Sequence, residues 1–437
     1  MVRSIVANYN LQTFFTSTSK DDPGAIGLII GQSGTDKDYV LYLAKLPFKY
    51  DKSSFGDIDE NLILDHAKQI TRMLPGGMNV LGIAVAHLED LTSPLHPKLR
   101  HISSNLYKTL DSNRYFHGNH NQGNIILNYS LKTQKYICKE YNISNANLQS
   151  VDFKFSPKEL KWNRIDCTLL IDEIYYLDKE EVNASLEEHI RAILNQIQEK
   201  LNNIQFLIDN QYKNEDDCIE TYFKKKINKR GSKKDETDED KPLEAVALLN
   251  HDFSSSLYMH QVVDSSGSLK MSGKIVSRIW VQPKMTLAEV SRFLKQDIIC
   301  SLAARCEMHI DSLTEEENSE ANEFSEISCI HEPPRRVMVS LPDIEPMFSD
   351  YLFPGEGQLD AKASVEELLD VKLKGKLNIE DLEGQADFTK YYDDSAQTTT
   401  SDNVIKLQSE SSGKIMNTPI LLAVAVLLIS FLMYIYI

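Results

Sequence analysis

The C-terminal stretch Pro419–Ile437 is uncharged and almost wholly apolar, and it constrains this chain more than any other feature. A bilayer core about 30 Å thick is crossed by roughly 20 apolar residues in an α-helix, a length that this stretch meets. Tyr434 and Tyr436 stand where aromatic side chains meet a membrane interface, and Lys414 precedes the stretch on the side expected to stay cytosolic. The pattern predicts a transmembrane tail anchor over residues 415–437.

The side chains of the anchor are expected to contact membrane lipid. The residues predicted to form it are Pro419, Ile420, Leu427, Leu428, Phe431, Tyr434 and Ile437. A buried C-terminal helix of a soluble core is the alternative, although such helices usually carry several polar residues. A segment at this position leaves the ribosome last, so we expect insertion after translation. The endoplasmic reticulum is the expected destination, and the sequence is also compatible with the mitochondrial outer membrane.

The remainder of the chain has the composition of a folded cytosolic protein with an acidic balance. Of its 437 residues, 42% are hydrophobic and 25% are charged, and the formal net charge is -17. An acidic chain is a poor candidate for nucleic-acid binding, because phosphate neutralisation requires clustered Lys and Arg. The N-terminus has no apolar signal-peptide region, and the six cysteines form no CxxC pair. Both features favour a cytosolic chain with reduced thiols.

Changes in composition along the chain predict its organisation. The predicted segments are a first α/β domain over 1–215, a charged linker over 216–242, a second mixed α/β domain over 243–355, a flexible acidic tether over 356–414 and the anchor over 415–437. The linker is lysine-rich and then acidic, which favours a solvated loop over a nuclear signal or a basic docking patch. The tether is poor in aromatic residues and cannot offset its ordering entropy by burial, apart from a short helix near 364–369.

Strands and helices are predicted to alternate. The predicted strands are 24–31, 39–43, 80–86, 124–131, 135–141, 167–171, 245–250, 256–263, 270–281 and 335–339, with a hairpin joining 124–131 to 135–141 and a turn over 264–267. A helix is expected to start near Asp59, with apolar residues three or four positions apart, and to stop at Pro75–Gly77. Another is expected from Thr286 to about Met308.

A longer helix is predicted to begin at a capping box formed by Ser185 and Glu188. Apolar residues continue from Leu186 to Ile208 at helical spacing, which gives one apolar stripe. We expect this stripe to pack onto the sheet of its own domain, and a helix that binds a partner is the alternative.

Two motifs resemble ligand sites only weakly. Gly31–Gly34 lacks the Gly-Lys-Ser/Thr ending of a phosphate loop. His117 and His120 lie in a polar loop, where a zinc site would require further ligands at defined spacing. Neither motif predicts a cofactor.

A thiol protease is a third possibility that the chain does not favour. Cys306 and His309, with Asp311 close by, share one predicted helix end, whereas catalytic Cys and His usually converge from distant segments. No G-x-S-x-G, H-E-x-x-H or G-x-G-x-x-G motif occurs. No catalytic residue is therefore predicted.

Five short segments, in the same order along the chain, resemble the odorant-response-abnormal family (the Odr-four homologues). These segments are Gly27–Gln32, Arg72–Gly82, Ala304–Ile310, Pro334–Val337 and Ser349–Phe353. The resemblance implies a membrane protein of the endoplasmic reticulum that assists folding and trafficking of a subset of G-protein-coupled receptors. It also implies a link to the ubiquitin-fold-modifier-specific cysteine protease, which the family is associated with holding at the membrane.

The resemblance further implies an N-terminal domain similar to the MPN fold of the JAMM metalloproteases. Active members bind zinc through a His-x-His strand end followed by Ser and Asp. Aligned on Gly82, those positions fall on Val85, His87, Leu95 and Lys98, and only His87 could bind zinc. We therefore expect a catalytically silent adaptor without a metal or cofactor, and the alternative is a divergent MPN-type metal hydrolase.

Overall fold

The computed structural model describes residues 3–16, 24–34, 37–46, 55–88, 90–112, 115, 123–178, 184–222, 242–248, 265–319, 331–373 and 378–384. Met1–Gln385 forms one compact unit, and the second unit, Ala386–Ile437, lies outside the described residues together with the predicted anchor. The predicted mixed α/β class is confirmed by three sheets flanked by helices.

An eight-stranded mixed sheet forms the first part of the unit. Its strands are β1 (Ser4–Ala7), β2 (Ala25–Ser33), β3 (Asp38–Lys45), β4 (Met78–His87), β5 (Gly123–Ser130), β6 (Lys135–Asn142), β7 (Asn147–Ser150) and β8 (Asp152–Phe155). They lie in the order β7-β6-β5-β4-β2-β3-β1-β8. β4 and β5 are parallel, and β5 and β6 form the predicted hairpin.

Helices cover this sheet, which explains why its central strands are apolar on both faces. The helices are α1 (Gln12–Thr16), α2 (Glu60–Met73) and α3 (Pro97–Ser112), with short 3-10 turns at Tyr9–Leu11 and Phe55–Asp57. Val85 on β4 packs in the same core as Ile63 of α2 and Leu99 of α3. Ala84, its neighbour, points to the other face and packs in the core that contains Phe15 of α1. α2 starts next to Asp59 as predicted, and the Asp59 carboxylate caps the helix by accepting from the backbone N–H of Asn61 at 3.0 Å.

A second, four-stranded sheet brings together segments that are far apart in the chain. It contains β9 (Asn163–Asp178), β10 (Gln205–Ile208), β11 (Leu243–Leu248) and β12 (Ser265–Val281), in the order β10-β11-β9-β12. Two helices, α4 (Leu186–Asn202) and α5 (Leu287–Ser319), complete this part. Ile193 and Ile197 of α4 pack with Ile298 of α5 and with Tyr175 and Ile275 of the sheet. The predicted capping box at Ser185 and Glu188 is present. The apolar stripe of α4 packs onto a sheet, as expected, but this sheet contains strands from both predicted domains, and the stripe also packs against α5.

A small third sheet completes the fold. It contains β13 (Arg335–Val339), β14 (Phe348–Leu352) and β15 (Ile379–Glu380), in the order β14-β13-β15, with helix α6 (Gln358–Leu368) beside it. Val337 and Phe348 pack in the same core as Ile63 and Val85 of the first part. The apolar core is therefore shared between residues from both predicted domains.

The structure divides the chain differently from the predicted 1–215 and 243–355 domains. β9, expected in the first domain, pairs with β12 of the second from Ser265 opposite Asp178 to Val281 opposite Asn163. The part of the predicted linker up to residue 222 lies against the start of α5, because the backbone N–H of Leu287 donates to the Asp217 carbonyl and that of Ile219 donates to the Met285 carbonyl, both at 3.0 Å. Composition did not reveal this sheet, since its partner strands are about a hundred residues apart.

Five element boundaries predicted from the sequence are wrong. α5, expected to end near Met308, continues to Ser319, and the strand expected at 167–171 spans Asn163–Asp178. The helix of the long stripe ends at Asn202, and Ile208 belongs to β10, where a buried strand residue continues the apolar spacing. The turn predicted over 264–267 overlaps β12, because that strand begins at Ser265. The tether does not begin at 356, because α6 and β15 bury Val365 and Ile379. The predicted strand over 256–263 lies outside the described residues.

Candidate functional site

Three of the five segments that carry the family resemblance, Arg72–Gly82, Pro334–Val337 and Ser349–Phe353, meet at a buried polar cluster centred on Asp297 of α5. The Arg336 guanidinium on β13 donates two hydrogen bonds to the Asp297 carboxylate, at 2.7 and 2.9 Å. The side chains of Arg336 and Asp297 are 3% and 1% exposed. Ser349 on β14 accepts a third bond from Arg336 at 2.8 Å, and the backbone N–H of Gly76 donates to Asp297 at 2.7 Å. The Asp297 carboxylate therefore joins α5 to the Pro75–Gly77 turn and to β13, and Arg336 extends the cluster to β14.

The charges in this cluster are matched rather than reactive. Burial alone would lower the pKa of the Arg336 guanidinium, but the adjacent Asp297 carboxylate, together with Tyr351 and Glu383, outweighs burial and raises that pKa. A paired carboxylate and guanidinium in bidentate contact have few remaining donor or acceptor sites for a substrate. The cluster therefore stabilises the fold and offers few groups to a substrate.

The glycines of the Pro75–Gly77 turn are required by this arrangement. A Cβ on Gly76 would lie 2.2 Å from the Phe293 carbonyl oxygen and 2.6 Å from the Cβ of Asp297. Gly77 has a φ of 82°, a conformation that L side chains rarely adopt. The turn that ends α2 therefore also allows α5 to approach closely enough for Asp297 to be bonded.

The segment 378–384 is fastened to the unit by three acidic side chains, each paired with a different arginine. Glu380 contacts Arg278 at 2.7 Å, Asp381 contacts Arg335 at 2.9 Å, and Glu383 contacts Arg305 at 2.6 Å. The Glu383 carboxylate also accepts backbone N–H groups of Arg336 and Val276, at 3.1 and 3.0 Å. From the sequence, this segment is expected to belong to the tether, because the arginine partners of its three acidic residues lie far away in the chain and leave no local pattern.

Gln32 gives the Gly31–Gly34 motif a structural role. Its amide donates to the Trp280 carbonyl at 2.9 Å and accepts from the Gln282 backbone N–H at 3.2 Å. Gln32 is fully buried and joins β2 to the end of β12. The backbone N–H of Gly34 donates to the Lys37 carbonyl at 3.1 Å, which closes the turn between β2 and β3.

The MPN resemblance aligned Val85, His87, Leu95 and Lys98 with the zinc-site residues of active members. These four positions hold groups of different chemistry. Val85 is fully buried in the core, and His87 is buried at the end of β4 with its ring 5.9 Å from that of Phe55. Leu95 packs against the core, and the Lys98 ammonium lies 3.8 Å from the Glu60 carboxylate. Hydrocarbon side chains and an ammonium group cannot coordinate zinc. Within the described ranges, no group of three or more His, Cys, Asp or Glu could hold a metal ion.

The other candidate residues do not assemble a reactive site. Cys306 is buried on α5, and burial raises the pKa of its thiol to about 11. A nucleophilic cysteine requires a thiolate near neutral pH, so Cys306 is in the wrong environment for a protease. His309 and Asp311 lie on the same helix. His117 and His120 lie outside the described residues.

The outer face of the second sheet carries an exposed apolar stripe that sequence reasoning missed. Leu170, Ile174 and Tyr176 on β9 are 75%, 53% and 58% exposed, and Val246 and Leu248 on β11 are also exposed. We call these five residues the β9 stripe. The opposite face of the sheet is covered by α4 and α5. On β9, Asp172 lies between Leu170 and Ile174 and pairs with Lys270 at 3.0 Å, so the exposed apolar side chains flank a surface ion pair. Exposed apolar side chains grouped on one face are typical of a protein-binding site.

The fold and its polar cluster define a mixed α/β protein whose sequence motifs build the core rather than a reactive centre. The chain belongs to the ODR4-like family (Odorant response abnormal 4-like), which matches residues 27–378, and the resemblance seen in the sequence is confirmed. A human protein named "Protein odr-4 homolog" is 28% identical over 371 residues, 82% of this chain and 80% of that protein. The Drosophila melanogaster protein of the same name is 23% identical over 443 residues, 89% of each chain.

Among solved structures, the chain is similar to UfSP from C. elegans, with a TM-score of 0.44 and 9% identity over 84% of this chain and 57% of that longer chain. A TM-score of this size does not establish a shared fold. Within the residues that the structure describes, no helix is long and apolar enough to cross a membrane. The predicted anchor lies beyond those residues.

Proposed function

We propose that this protein is a non-enzymatic, tail-anchored adaptor of the endoplasmic reticulum membrane, with an MPN-like N-terminal part and its bulk in the cytosol. It assists the trafficking and localisation of a subset of G-protein-coupled receptors by recruiting the ubiquitin-fold-modifier-specific cysteine protease to that membrane. The observation that carries the proposal is the β9 stripe, a group of exposed apolar side chains. Arg336, which belongs to a family segment, is instead buried and bonded to Asp297. Family membership supports the same function.

The β9 stripe has the layout of a protein interface. In the pairing of β9 with β12, Lys274 stands opposite Leu170 and Lys270 stands opposite Ile174. The apolar side chains are therefore interspersed with charged ones, Lys274 and the Asp172–Lys270 pair, a mixture typical of non-obligate interfaces. The expected occupant is an apolar surface of the protease, and an aromatic side chain such as Tyr176 is typical of residues that dominate binding energy.

Charge placed in the β9 stripe is expected to abolish capture of the protease without unfolding the chain. Leu170→Glu together with Ile174→Glu should reduce capture at least tenfold, because each carboxylate replaces an apolar contact and must be desolvated on binding, a cost that pairing with Lys274 or Lys270 across the sheet offsets only in part. Capture from membranes by the full-length chain, with circular dichroism of the purified variants, measures this. Leu359→Glu is the matched control, since Leu359 is 80% exposed on α6, away from the stripe. Undiminished capture by the double variant would remove the stripe from the proposal.

Removal of residues 415–437 is expected to release the protein from membranes. The full-length chain should resist extraction by salt and carbonate and require detergent, whereas the truncated chain should remain in the soluble fraction. Affinity capture of the full-length form should bring down the protease or a receptor. A truncated form that stays on membranes, or a soluble full-length form, would contradict the anchor.

The alternative, a divergent MPN-type metal hydrolase, is separated from the adaptor by metal content. An adaptor is expected to purify with far less than one zinc per chain, and His87→Ala should leave partner capture unchanged. A hydrolase should purify with about one zinc and lose that metal when the ligand histidine is changed. Zinc is measured by mass spectrometry of the purified chain, and stoichiometric zinc that depends on His87 would favour the hydrolase.

A further inference from the structure

A pocket of about 250 Å³ lies where the first sheet meets the loop between β13 and β14, away from the β9 stripe. Its lining includes Asn8 after β1, Leu41 on β3, Glu159 and Trp162 before β9, and Asp343 and Glu345 in the loop. No described lining residue is basic. Ligand pockets for drug-sized molecules span roughly 300–1,000 Å³, so this one suits a single side chain.

Asn8 provides the first sign of a ligand. The residue is 5% exposed, and its backbone N–H donates to the Val40 carbonyl at 3.2 Å. Its side-chain oxygen Oδ1 is buried and has no hydrogen-bond partner within the described part of the chain. Buried polar atoms are nearly always bonded, so an unsatisfied acceptor on a pocket wall indicates a donor that enters from outside.

The carboxylates of the pocket, like the Asn8 side-chain oxygen, are complementary to a ligand that donates hydrogen bonds. The backbone N–H of Trp162 donates to the Glu345 carboxylate at 3.2 Å, which holds the loop against the start of β9. Glu159 and Asp343 are exposed at the pocket mouth and form no ion pair with the described residues. The amide oxygen of Asn8 and the carboxylates of Glu159 and Asp343 all accept hydrogen bonds, so the complementary ligand is a cation that carries several N–H donors.

The spacing of these acceptors favours an extended cation over a compact one. No set of three acidic, His or Cys side chains in the described ranges is close enough to hold a metal ion. A guanidinium group instead spreads five N–H donors over a plane, and it binds both carboxylates and indole rings. Its hydrocarbon stem suits the apolar wall formed by Leu41 and Trp162. We propose that this pocket binds the guanidinium group of an arginine side chain on a partner protein.

The proposal is tested on the full-length chain in detergent micelles by saturation-transfer NMR with blocked amino acids as probes. N-acetyl-arginine amide is expected to bind, and N-acetyl-citrulline amide, its neutral isostere, is expected to bind at least tenfold more weakly. N-acetyl-lysine amide should bind less well than the arginine probe, because an ammonium group reaches fewer of the acceptors. Equal binding of the arginine and citrulline probes would overturn the proposal.

Substitutions of pocket residues test whether the arginine probe binds in this pocket. Asn8→Leu, and separately Glu159→Gln with Asp343→Asn, should each weaken the arginine probe at least fivefold. The second pair lies at exposed positions and keeps the test valid if Asn8→Leu does not fold. Glu199→Gln on α4, which contributes nothing to the pocket, is the matched control and should bind like the parent chain. Unchanged binding by the Glu159 and Asp343 pair, or tighter binding of free L-arginine than of the blocked probe, would refute an arginine of a partner protein as the ligand.

Discussion

Asp297→Asn is expected to lower the free energy of unfolding by about 3–5 kcal/mol, the usual cost of breaking a buried ion pair by removing one partner. Asn retains the size of Asp, but it turns an amide N–H₂ toward the Arg336 guanidinium, which is 3% exposed and has no water to replace its partner. Urea unfolding of the full-length chain in a mild detergent, followed by circular dichroism, measures the change.

A double-mutant cycle separates the ion pair from the other bonds of the cluster. Arg336→Met alone leaves Asp297 buried without its cation, whereas Arg336→Met combined with Asp297→Asn removes both charges. The combined variant is therefore expected to be destabilised by less than the sum of the two single changes. Glu187→Gln is the control, because the Glu187–Arg191 pair on α4 is exposed at both partners and contributes little. A loss below about 1 kcal/mol for Asp297→Asn would show that the cluster does not stabilise the fold as argued.

Gly76→Ala is expected to destabilise the chain by about 3 kcal/mol, at the upper end of the range for overpacking. The new methyl group would lie 2.2 Å from the Phe293 carbonyl oxygen, and that backbone atom belongs to α5 and cannot swing aside as a side chain can. Separation of the turn from α5 would also lengthen the 2.7 Å bond from the Gly76 N–H to Asp297. The same unfolding experiment measures the effect.

Gly56→Ala is the matched control for this prediction. A Cβ on Gly56 meets no atom within 4 Å, so the substitution should be neutral or slightly stabilising by restricting the unfolded chain. A similar loss at both positions would mean that the close approach of α5 is not the cause. Variants of the cluster are expected to lower the amount of folded protein, whereas β9 stripe variants should lower only partner capture. The two classes therefore distinguish a failure of the fold from a failure of the proposed function.

Features that depend on neighbouring residues were predicted well. Asp59 caps α2 and the Pro75–Gly77 turn ends it, the capping box at Ser185 starts α4, and β5 pairs with β6. Each of these rests on hydrogen bonds or side-chain spacing within a few residues, so the local sequence contains the whole cause. The family segments were also found in the sequence, although their meeting point was not.

The candidate surfaces were not predictable in the same way. The strand predicted at 167–171 is apolar on both sides, and nothing local distinguishes Leu169, packed against the core, from Leu170, which is exposed. Only the placement of α4 and α5 on one face decides which side of the sheet meets solvent. The pocket likewise joins Asn8, Trp162 and Asp343, which are too far apart in the chain to leave a common pattern.

The sequence by itself determined the mixed α/β class, the family, the starts of α2 and α4 and the hairpin of β5 and β6, because caps, turns and apolar periodicity act over a few residues. Tertiary structure alone decided that β9 pairs with β12 across the predicted domain boundary, and that Glu383 fastens the C-terminal end of the unit to Arg305. It also decided that Asp297 is neutralised by Arg336. The physical reason is that these contacts gain their energy from burial and charge pairing between distant segments, which have no local signature.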